Sequence, residues 1–257
     1  MAPDGYSNSI LVLEYHAVSE TWPAALAVRP AQLREQLEWL VARGYTGATF
    51  SDAVASGPSE RTLVVTFDDA YLSVFELARP ILASLGLPGT VFVVTDFADS
   101  GRPLNWPRSK NWRGGAYEHE LRGMTWPHLG ELAESGWEIG SHTRTHPRLT
   151  QLPDDALARE LRESREACER ALGRPCSSLA YPFGDFDARV AARAGEAGYR
   201  AAATERLGPP DPLRWPRVGI YRADSLARFR LKVSPTVRRL RRVAGGVPAS
   251  AARAKGR

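Results

Sequence analysis

The stretch "TLVVTFDDAYLS" at residues 62–73 joins an apolar run to two adjacent carboxylates. A continuous apolar run of this length is typical of a parallel strand that is covered on both faces. The run ends at Asp68 and Asp69, whose like charges repel each other. A helix-capping role explains one of them, because an aspartate side chain can accept a free backbone N–H of the first helical turn. The stretch alone leaves open whether the other carboxylate has a chemical role.

Six further apolar runs resemble this strand, and segments with helical periodicity separate most of them. The strand candidates are 10–15, 62–67, 90–95, 137–140, 178–181, 199–203 and 217–221. The helix candidates are 30–43, 70–85, 128–135, 154–172 and 187–197, and a glycine follows each of them. Strands that alternate with helices predict parallel pairing with right-handed crossovers. We therefore expect an α/β fold of a single domain, a distorted (β/α)7-type barrel.

Length and composition agree with a globular protein. The chain has 257 residues, of which 43% are hydrophobic and 25% charged, and barrels of this size commonly form one domain. No apolar run has the length of a membrane span. Residues 1–9 have neither the basic nor the apolar region of a signal peptide, so we expect a flexible N-terminus and a cytoplasmic location. Cys168 and Cys176 have no metal-binding spacing and are predicted to be buried free thiols.

The charge of the chain is concentrated at its C-terminal end. Residues 228–257 contain ten Lys or Arg and no Asp or Glu, which leaves 24 basic and 29 acidic residues in the rest. We therefore expect a barrel over 10–227 and a basic tail over 228–257. Apolar residues spaced three apart predict a short amphipathic helix from about Thr236. Such a helix suits the inner, anionic face of a membrane. A solvated, partly disordered tail is the alternative, and nucleic acid is disfavoured because the body is acidic.

A pair of histidines follows another predicted strand. The segment "SHTRTH" comes directly after 137–140 and places His142 and His146 four residues apart. Two imidazoles and a carboxylate can hold one cation and leave positions for water and substrate. Because Pro147 disfavours a helix at the preceding residue, a single turn is expected here. The pair alone is weak evidence, since surface histidines often have this spacing.

Two more polar segments are placed at predicted strand ends. In "LAYPFGDFD" (179–187), Pro182 and Gly184 predict a tight turn that can direct a backbone N–H outward, although a plain turn has the same pattern. In "LEYHAV" (13–18), His16 ends the first strand, where a lone histidine is equally typical of a core position. The carboxyl ends of parallel barrel strands meet at one face, so these segments are expected to lie close together.

The order of TFDD, SHTRTH and YPFG resembles the polysaccharide deacetylase family, the NodB-homology or carbohydrate esterase group. The resemblance runs from about residue 10 to residue 221, and TFDD with HxxxH is its most specific part. It implies a distorted (β/α) barrel. It also implies a metal-dependent hydrolase that removes N- or O-acetyl groups from sugars.

The resemblance also implies separate tasks for the two aspartates. Asp69, His142 and His146 would bind a divalent metal, for which Zn²⁺ fits the imidazole and carboxylate ligands. Asp68 would be the general base that takes a proton from the attacking water. The backbone N–H of Phe183 would help to stabilise the oxyanion that forms on the acetyl carbonyl.

The sequence departs from the family pattern at two places. Ala180 occupies the position of an arginine that steadies the catalytic aspartate in many members, and no histidine follows His146 to act as the acid. One branch of the family has its acid in an early Tyr-His motif, so His16 is the candidate general acid. Arg217 is the candidate guanidinium for Asp68, with a surface ion pair as the alternative.

The expected reaction is hydrolysis of an acetamido sugar, in a glycan, a lipid-linked sugar or a small glycoside, to a free amine and acetate. The alternatives are a hydrolase of a non-sugar amide, cyclic imide or acetyl ester on the same fold, or a catalytically silent carbohydrate-binding relative. Trp106, Trp112 and Trp126 lie in the loop over 99–126 and are candidates for a wall on which a sugar stacks, or for core positions.

Overall fold

The computed structural model of the chain describes residues 10–56, 61–106, 110–206 and 208–244. Its strands, in chain order, are β1 (Ile10–Tyr15), β2 (Ala17–Val18), β3 (Ala27–Val28), β4 (Thr46–Gly47), β5 (Thr62–Phe67), β6 (Thr90–Val93), β7 (Glu138–Ser141), β8 (Ser178–Ala180), β9 (Ala201–Thr204), β10 (Trp215–Pro216) and β11 (Val218–Gly219).

Eight of these strands form a nearly closed parallel barrel. Their order is β10-β9-β8-β7-β6-β5-β1-β11, with β4 paired to β5 beside this path, while β2 and β3 pair separately. β10 and β11 belong to one stretch of chain that pairs with β9 through Trp215 and with β1 through Val218. The two short strands therefore act as one seventh strand, and the predicted single-domain (β/α)7-type barrel is confirmed.

Helices cover the outside of the barrel. They are α1 (Pro30–Val41), α2 (Phe50–Ser56), α3 (Arg79–Ser84), α4 (Trp126–Glu134), α5 (Asp154–Leu172), α6 (Ala188–Glu196), α7 (Leu226–Val233) and α8 (Pro235–Ala244). A π-helical segment, Val74–Ala78, leads into α3. Within the described ranges, every helix is too short or too polar to cross a bilayer.

The alternation of side chains along each strand produces two cores. Outward-facing residues such as Leu11, Leu13 and Val65 pack against the helices in the larger core, which also buries the free thiols of Cys168 and Cys176. Inward-facing residues fill the barrel itself, which is a packed core and not a pore. These are Ile10, Val12, Val64, Phe92, Ala180, Ala201, Ala203 and Trp215, joined by Phe50 and Ala53 of α2.

A half-buried carboxylate ties α2 to the amino-terminal end of the barrel. Glu138, at the start of β7, accepts hydrogen bonds from the Ser51 backbone N–H at 2.8 Å and from the Ser51 hydroxyl. It also accepts from Ser178 Oγ at 2.6 Å and from Thr90 Oγ1 at 3.2 Å. These four bonds replace the water that the charge loses. These polar groups at the amino-terminal end of the barrel thus have a structural role.

The chain after β5 differs from the expected helix over 70–85. Asp69 and Ala70 have φ values of 70° and 53°, in the left-handed region, and helix begins only at residue 72, continuing as the π-helical segment from Val74. Neither aspartate therefore caps a helix, which removes the capping interpretation of Asp68 and Asp69. Both carboxylates are left at the carboxyl end of the barrel.

The basic C-terminal segment begins on the barrel surface. α7 buries Phe229 and Val233, and α8 starts at Pro235, close to the predicted Thr236. Arg238 points inward and not outward, and its Nη1 donates to the carbonyl oxygen of Ile10 at 3.0 Å. The predictions for residues 1–9 and 245–257 lie outside the described residues.

Candidate active site

Polar side chains lie together at the carboxyl end of the barrel. Along each strand, every second residue faces inward and forms a row, and several of these rows change there from apolar to polar residues. Such rows are apolar inside the barrel and end in a charged or imidazole side chain at its mouth. These side chains are Glu14 near the end of β1, His16 directly after β1, Asp68 after β5, His142 after β7, Glu205 after β9 and Arg217 between β10 and β11. A small cavity of about 40 Å³ lies between several of them.

Asp69, His142 and His146 have the geometry of a metal site. The Oδ1 atom of Asp69 lies 3.5 Å from His142 Nε2 and 3.4 Å from His146 Nε2. Ligands held tetrahedrally at about 2.1 Å from zinc are about 3.4 Å apart. The Nδ1 atom of His142 lies 2.8 Å from the carbonyl oxygen of Ala180, which leaves Nε2 to face Asp69. The chemistry and spacing of this donor set fit one divalent cation.

The backbone is strained where it presents these groups. The histidine segment forms an irregular loop, with φ values of 68° at Thr143 and 63° at His146. Phe183, in the turn after β8, has φ of 60°. Non-glycine residues in this region cost about 1–3 kcal/mol each and gather at functional sites. The backbone strain therefore indicates a functional site, where the required geometry is kept at a cost in local stability. The strained residues are Asp69, Thr143, His146 and Phe183.

Aromatic rings hold His146 in place. The indole of Trp106 stacks on the imidazole, with centroids 4.3 Å apart, and the ring of Phe183 meets it edge-on at 4.5 Å. Trp106 is only 5% exposed, so it supports a candidate ligand. Trp112 packs against Trp22, and Trp126 begins α4. Within the described chain the cavity lining includes Trp106 but neither of the other two, so the predicted three-tryptophan wall is not formed there.

The guanidinium of Arg217 is bound to Asp68 through two parallel hydrogen bonds. Nη1 and Nη2 each lie 2.7 Å from one carboxylate oxygen, and Nη1 also donates to Thr66 Oγ1 at 3.0 Å. Burial favours a raised pKa for Asp68, but the charge and hydrogen bonds of Arg217, with His142 nearby, hold that pKa well below its usual range. Asp68 is therefore ionised at neutral pH.

Glu14 is a second carboxylate on Arg217 that motif matching missed. Its Oε2 lies 3.2 Å from Nη2 of Arg217, and the side chain is fully buried. Burial raises the pKa of Glu14 well above its usual range, and the charge of Arg217 opposes this only in part. The signal in the sequence was its place in β1, where the inward-facing positions Ile10 and Val12 lead to Glu14.

His16 lies beside Asp68, as the strand-end placement predicted. One ligand-type atom each of Glu14, His16 and Asp68 lies within 4.8 Å of the others. Burial lowers the pKa of His16 to about 4, and the charge of Asp68 only partly offsets this. Arg217 disfavours a second cation among these three groups, because its own charge already pairs with Glu14 and Asp68.

The turn after β8 brings Phe183 to the cavity. Pro182–Gly184 form a single 3-10 turn, in which Pro182 has no N–H and the Gly184 N–H donates to the carbonyl oxygen of Tyr181 at 2.9 Å, so the Phe183 N–H is the one that could serve a ligand. Gly184 packs against Glu205, since a Cβ at Gly184 would lie 3.3 Å from that of Glu205. Glu205, which motif matching also missed, lines the same cavity.

Comparison with known sequences agrees with these motifs. A sequence model of the polysaccharide deacetylase family matches residues 55–202, more than half of the chain. YxkH of Bacillus subtilis, which carries a polysaccharide deacetylase name, is 25% identical over 202 residues, 77% of this chain and 64% of its own length. The poly-beta-1,6-N-acetyl-D-glucosamine N-deacetylase of Staphylococcus epidermidis is 22% identical over 204 residues, with 69% and 65% coverage. The chain thus spans just under two thirds of these curated relatives.

A solved structure has the same fold. The deacetylase PplD of Streptococcus pyogenes, determined in complex with acetate, matches with a TM-score of 0.74 at 22% identity. The match covers 88% of this chain and 98% of that one. The nearly closed parallel barrel is therefore shared along nearly the whole of PplD.

Proposed function

We propose that this chain, which belongs to the polysaccharide deacetylase family, is a metal-dependent hydrolase that removes the N-acetyl group from an acetamido sugar. The observation that carries the proposal is the meeting of two groups of side chains at one barrel mouth. The donor set Asp69, His142 and His146 lies beside a separate carboxylate, Asp68, which Arg217 holds at 2.7 Å. A binding module would not need that second, ionised carboxylate.

Asp69, His142 and His146 would hold the cation. A bound divalent cation would polarise the acetyl carbonyl and lower the pKa of a water molecule. Asp68 is kept ionised by Arg217 and would accept the proton of the attacking water. The backbone N–H of Phe183 would donate to the oxygen of the tetrahedral intermediate.

His16 would deliver a proton to the leaving amine. Because burial lowers its pKa to about 4, the imidazole is neutral before the reaction and must receive this proton during it. One ligand-type atom of Asp68 lies within 4.8 Å of one of His16, so a bridging water would let Asp68 supply the proton, and the low pKa of Asp68 makes it release a proton readily. We therefore assign His16 as a relay between Asp68 and the amine nitrogen.

The dimensions of the cavity favour a small acyl group. About 40 Å³ admits two or three water-sized groups, which suits an acetyl group but not a pyranose ring. The sugar would remain at the mouth. The Staphylococcus epidermidis relative is named for a polymer of N-acetylglucosamine, which supports an acetamido sugar as the substrate class.

The substrate class is tested by assaying the metal-loaded protein against four compounds. These are an N-acetylglucosamine oligomer, an acetylated non-sugar amine, a cyclic imide and an acetyl ester of a sugar. We expect acetate and free amine in equal amounts from the oligomer only. Preferred turnover of the amide, imide or ester would identify that class of compound as the substrate instead. No turnover of any compound would make the chain a silent relative.

A further inference from the structure

The two C-terminal helices form a layer that is anchored to the barrel from one side. Phe229 and Val233 of α7 are buried against it, and Phe229 meets Trp39 of α1 edge-on at 6.3 Å. α8 is held by Arg238, which donates to the carbonyl oxygen of Ile10 at 3.0 Å. We call α7 and α8 together the basic helix pair.

The opposite side of the basic helix pair exposes two leucines. Leu231 is 61% and Leu240 is 64% exposed, and each lies two residues, about 200° of rotation, from a buried anchor. Among the described residues, the other large exposed apolar side chain is Leu77, at 37%. The most exposed apolar groups therefore lie on this one layer.

The two helices that expose the leucines also carry positive charge. Arg230 and Arg239 are exposed, and neither forms a salt bridge with a carboxylate of the described ranges, although the Arg230 guanidinium lies over the Trp39 ring at 5.3 Å. The nearest acid in the sequence, Asp224, is buried and already pairs with Lys232 and Arg228. Residues 228–257 contribute ten Lys or Arg and no acid. The outer side of the layer is thus apolar and cationic together.

α8 lies towards the end of the barrel opposite the candidate active site, whereas α7 lies along the barrel side, where Lys232 Nζ donates to the carbonyl oxygen of Gly219 at 3.0 Å. Arg238 contacts Ile10, the first residue of β1, whereas His16 follows the last residue of the same strand. Six strand residues at about 3.3 Å each separate the two ends by about 20 Å. A surface that meets the layer from the side of α8 would leave the barrel mouth open.

We propose that the basic helix pair docks the protein on an anionic membrane, with the barrel mouth turned away from the lipid. Leucines in a cationic surround can enter the headgroup boundary while the arginines remain beside anionic headgroups. A nucleic acid would pair with the arginines but leave the leucines in water, and a second copy of this layer would bring like charges together. The orientation favours a sugar that is reached from the aqueous side over one held at the headgroups, a consequence that rests on the proposed function.

The docking is tested by cosedimentation of the full chain with two kinds of vesicle, phosphatidylcholine alone and phosphatidylcholine mixed with phosphatidylglycerol. We expect binding only to the mixed vesicles, weaker at high salt. Leu231→Ser with Leu240→Ser should lower the partition coefficient about tenfold. Leu77→Ser is the matched control and should leave it unchanged.

A second pair of variants tests the charges without touching the leucines. Arg230→Gln with Arg239→Gln should weaken binding on the order of tenfold, while Arg162→Gln with Arg170→Gln on exposed positions of α5 should not. Circular dichroism checks the fold of each variant. Absence of binding to the anionic vesicles, or binding that neither helix-pair variant weakens, overturns the proposal. If, without vesicles, the leucine variants sediment more slowly than wild type, the surface would instead be an interface with a second copy of the chain.

Discussion

Arg217 shows how a buried side chain can replace a missing motif residue. Ala180 stands where many family members have the arginine that steadies the catalytic aspartate. The structure supplies a guanidinium from the strand that closes the barrel, 149 residues after Asp68 in the chain. The sequence nominated Arg217, but only the closure of the barrel brings it between Asp68 and Glu14.

Arg217→Lys should reduce kcat by about 10–100-fold with little change in KM. A lysine ammonium is a point charge and cannot form the two parallel bonds that fix both oxygens of Asp68, and a small misplacement of a reacting group is costly. The matched control is Arg214→Lys, at an exposed arginine of the same segment. Both variants should retain their metal, which elemental analysis checks. An unchanged kcat in Arg217→Lys would show that the bidentate contact does not position the base.

At the level of strands and helices, most of the barrel could be predicted from the sequence. Runs such as 62–67 and 178–181 have the apolar continuity of buried parallel strands, and they lie within a residue or two of β5 and β8. α2 was missed because its seven residues are too few to show a helical period. The late helix start, at residue 72, was missed because positive φ at Ala70 has no signature in the sequence.

The candidate site could be predicted from motifs only where a motif exists. His142, His146 and the two aspartates lie in recognisable segments, whereas Glu14 and Glu205 do not. Both glutamates continue the inward-facing row of a strand, so the period-two alternation of β1 and β9 could have indicated them. Their proximity to Arg217 or to the turn at Gly184 depends on how the strands meet.

Gly140→Ala should destabilise the protein by about 1–3 kcal/mol, because it overfills the barrel. An added Cβ would lie within 2.4 Å of Ser178 Oγ and 2.6 Å of the Phe92 ring, so β7 would have to shift two residues before His142. Gly130→Ala on α4 meets nothing within 4 Å and should stabilise by about 0.5–1 kcal/mol. Urea unfolding measures both. Equal stabilities would contradict the tight interior packing.

On the scale of the whole molecule, the barrel has two chemically different ends. One end carries buried histidines and carboxylates around a small cavity, whereas the other is closed by α2 through Glu138. Burial lowers the pKa values of His16, His142 and His146. These three histidines are therefore harder to protonate in the folded protein than in the unfolded chain.

Acid should therefore destabilise the metal-free protein from about pH 6.5 downward. The pKa of His16 falls from 6.5 in the unfolded chain to about 4 in the folded protein. Between these values only the unfolded chain takes up the proton, so this contribution is present above pH 6.5 and is lost as the pH falls towards 4. From pH 7 to pH 5 the free energy of unfolding should drop by about 2 kcal/mol through His16 alone.

Urea unfolding of the chelator-treated protein at the two pH values measures this loss. His16→Gln should reduce the pH-dependent loss by about 2 kcal/mol. The matched control His119→Gln, at a largely exposed histidine, should leave it unchanged. The same loss in His16→Gln and wild type would mean that His16 does not resist protonation in the folded protein.

The division of labour between the two adjacent aspartates is tested by measuring metal content and acetate release on the same preparations. Wild type should hold about one divalent ion and release acetate from an N-acetylglucosamine oligomer. Asp68→Asn should keep the ion and lose about 10²–10⁴-fold in acetate release, the range for a general base. His142→Ala should lose both, because it removes one of the three donors around the cation. Wild-type acetate release by Asp68→Asn, or full metal content in His142→Ala, would contradict these assignments.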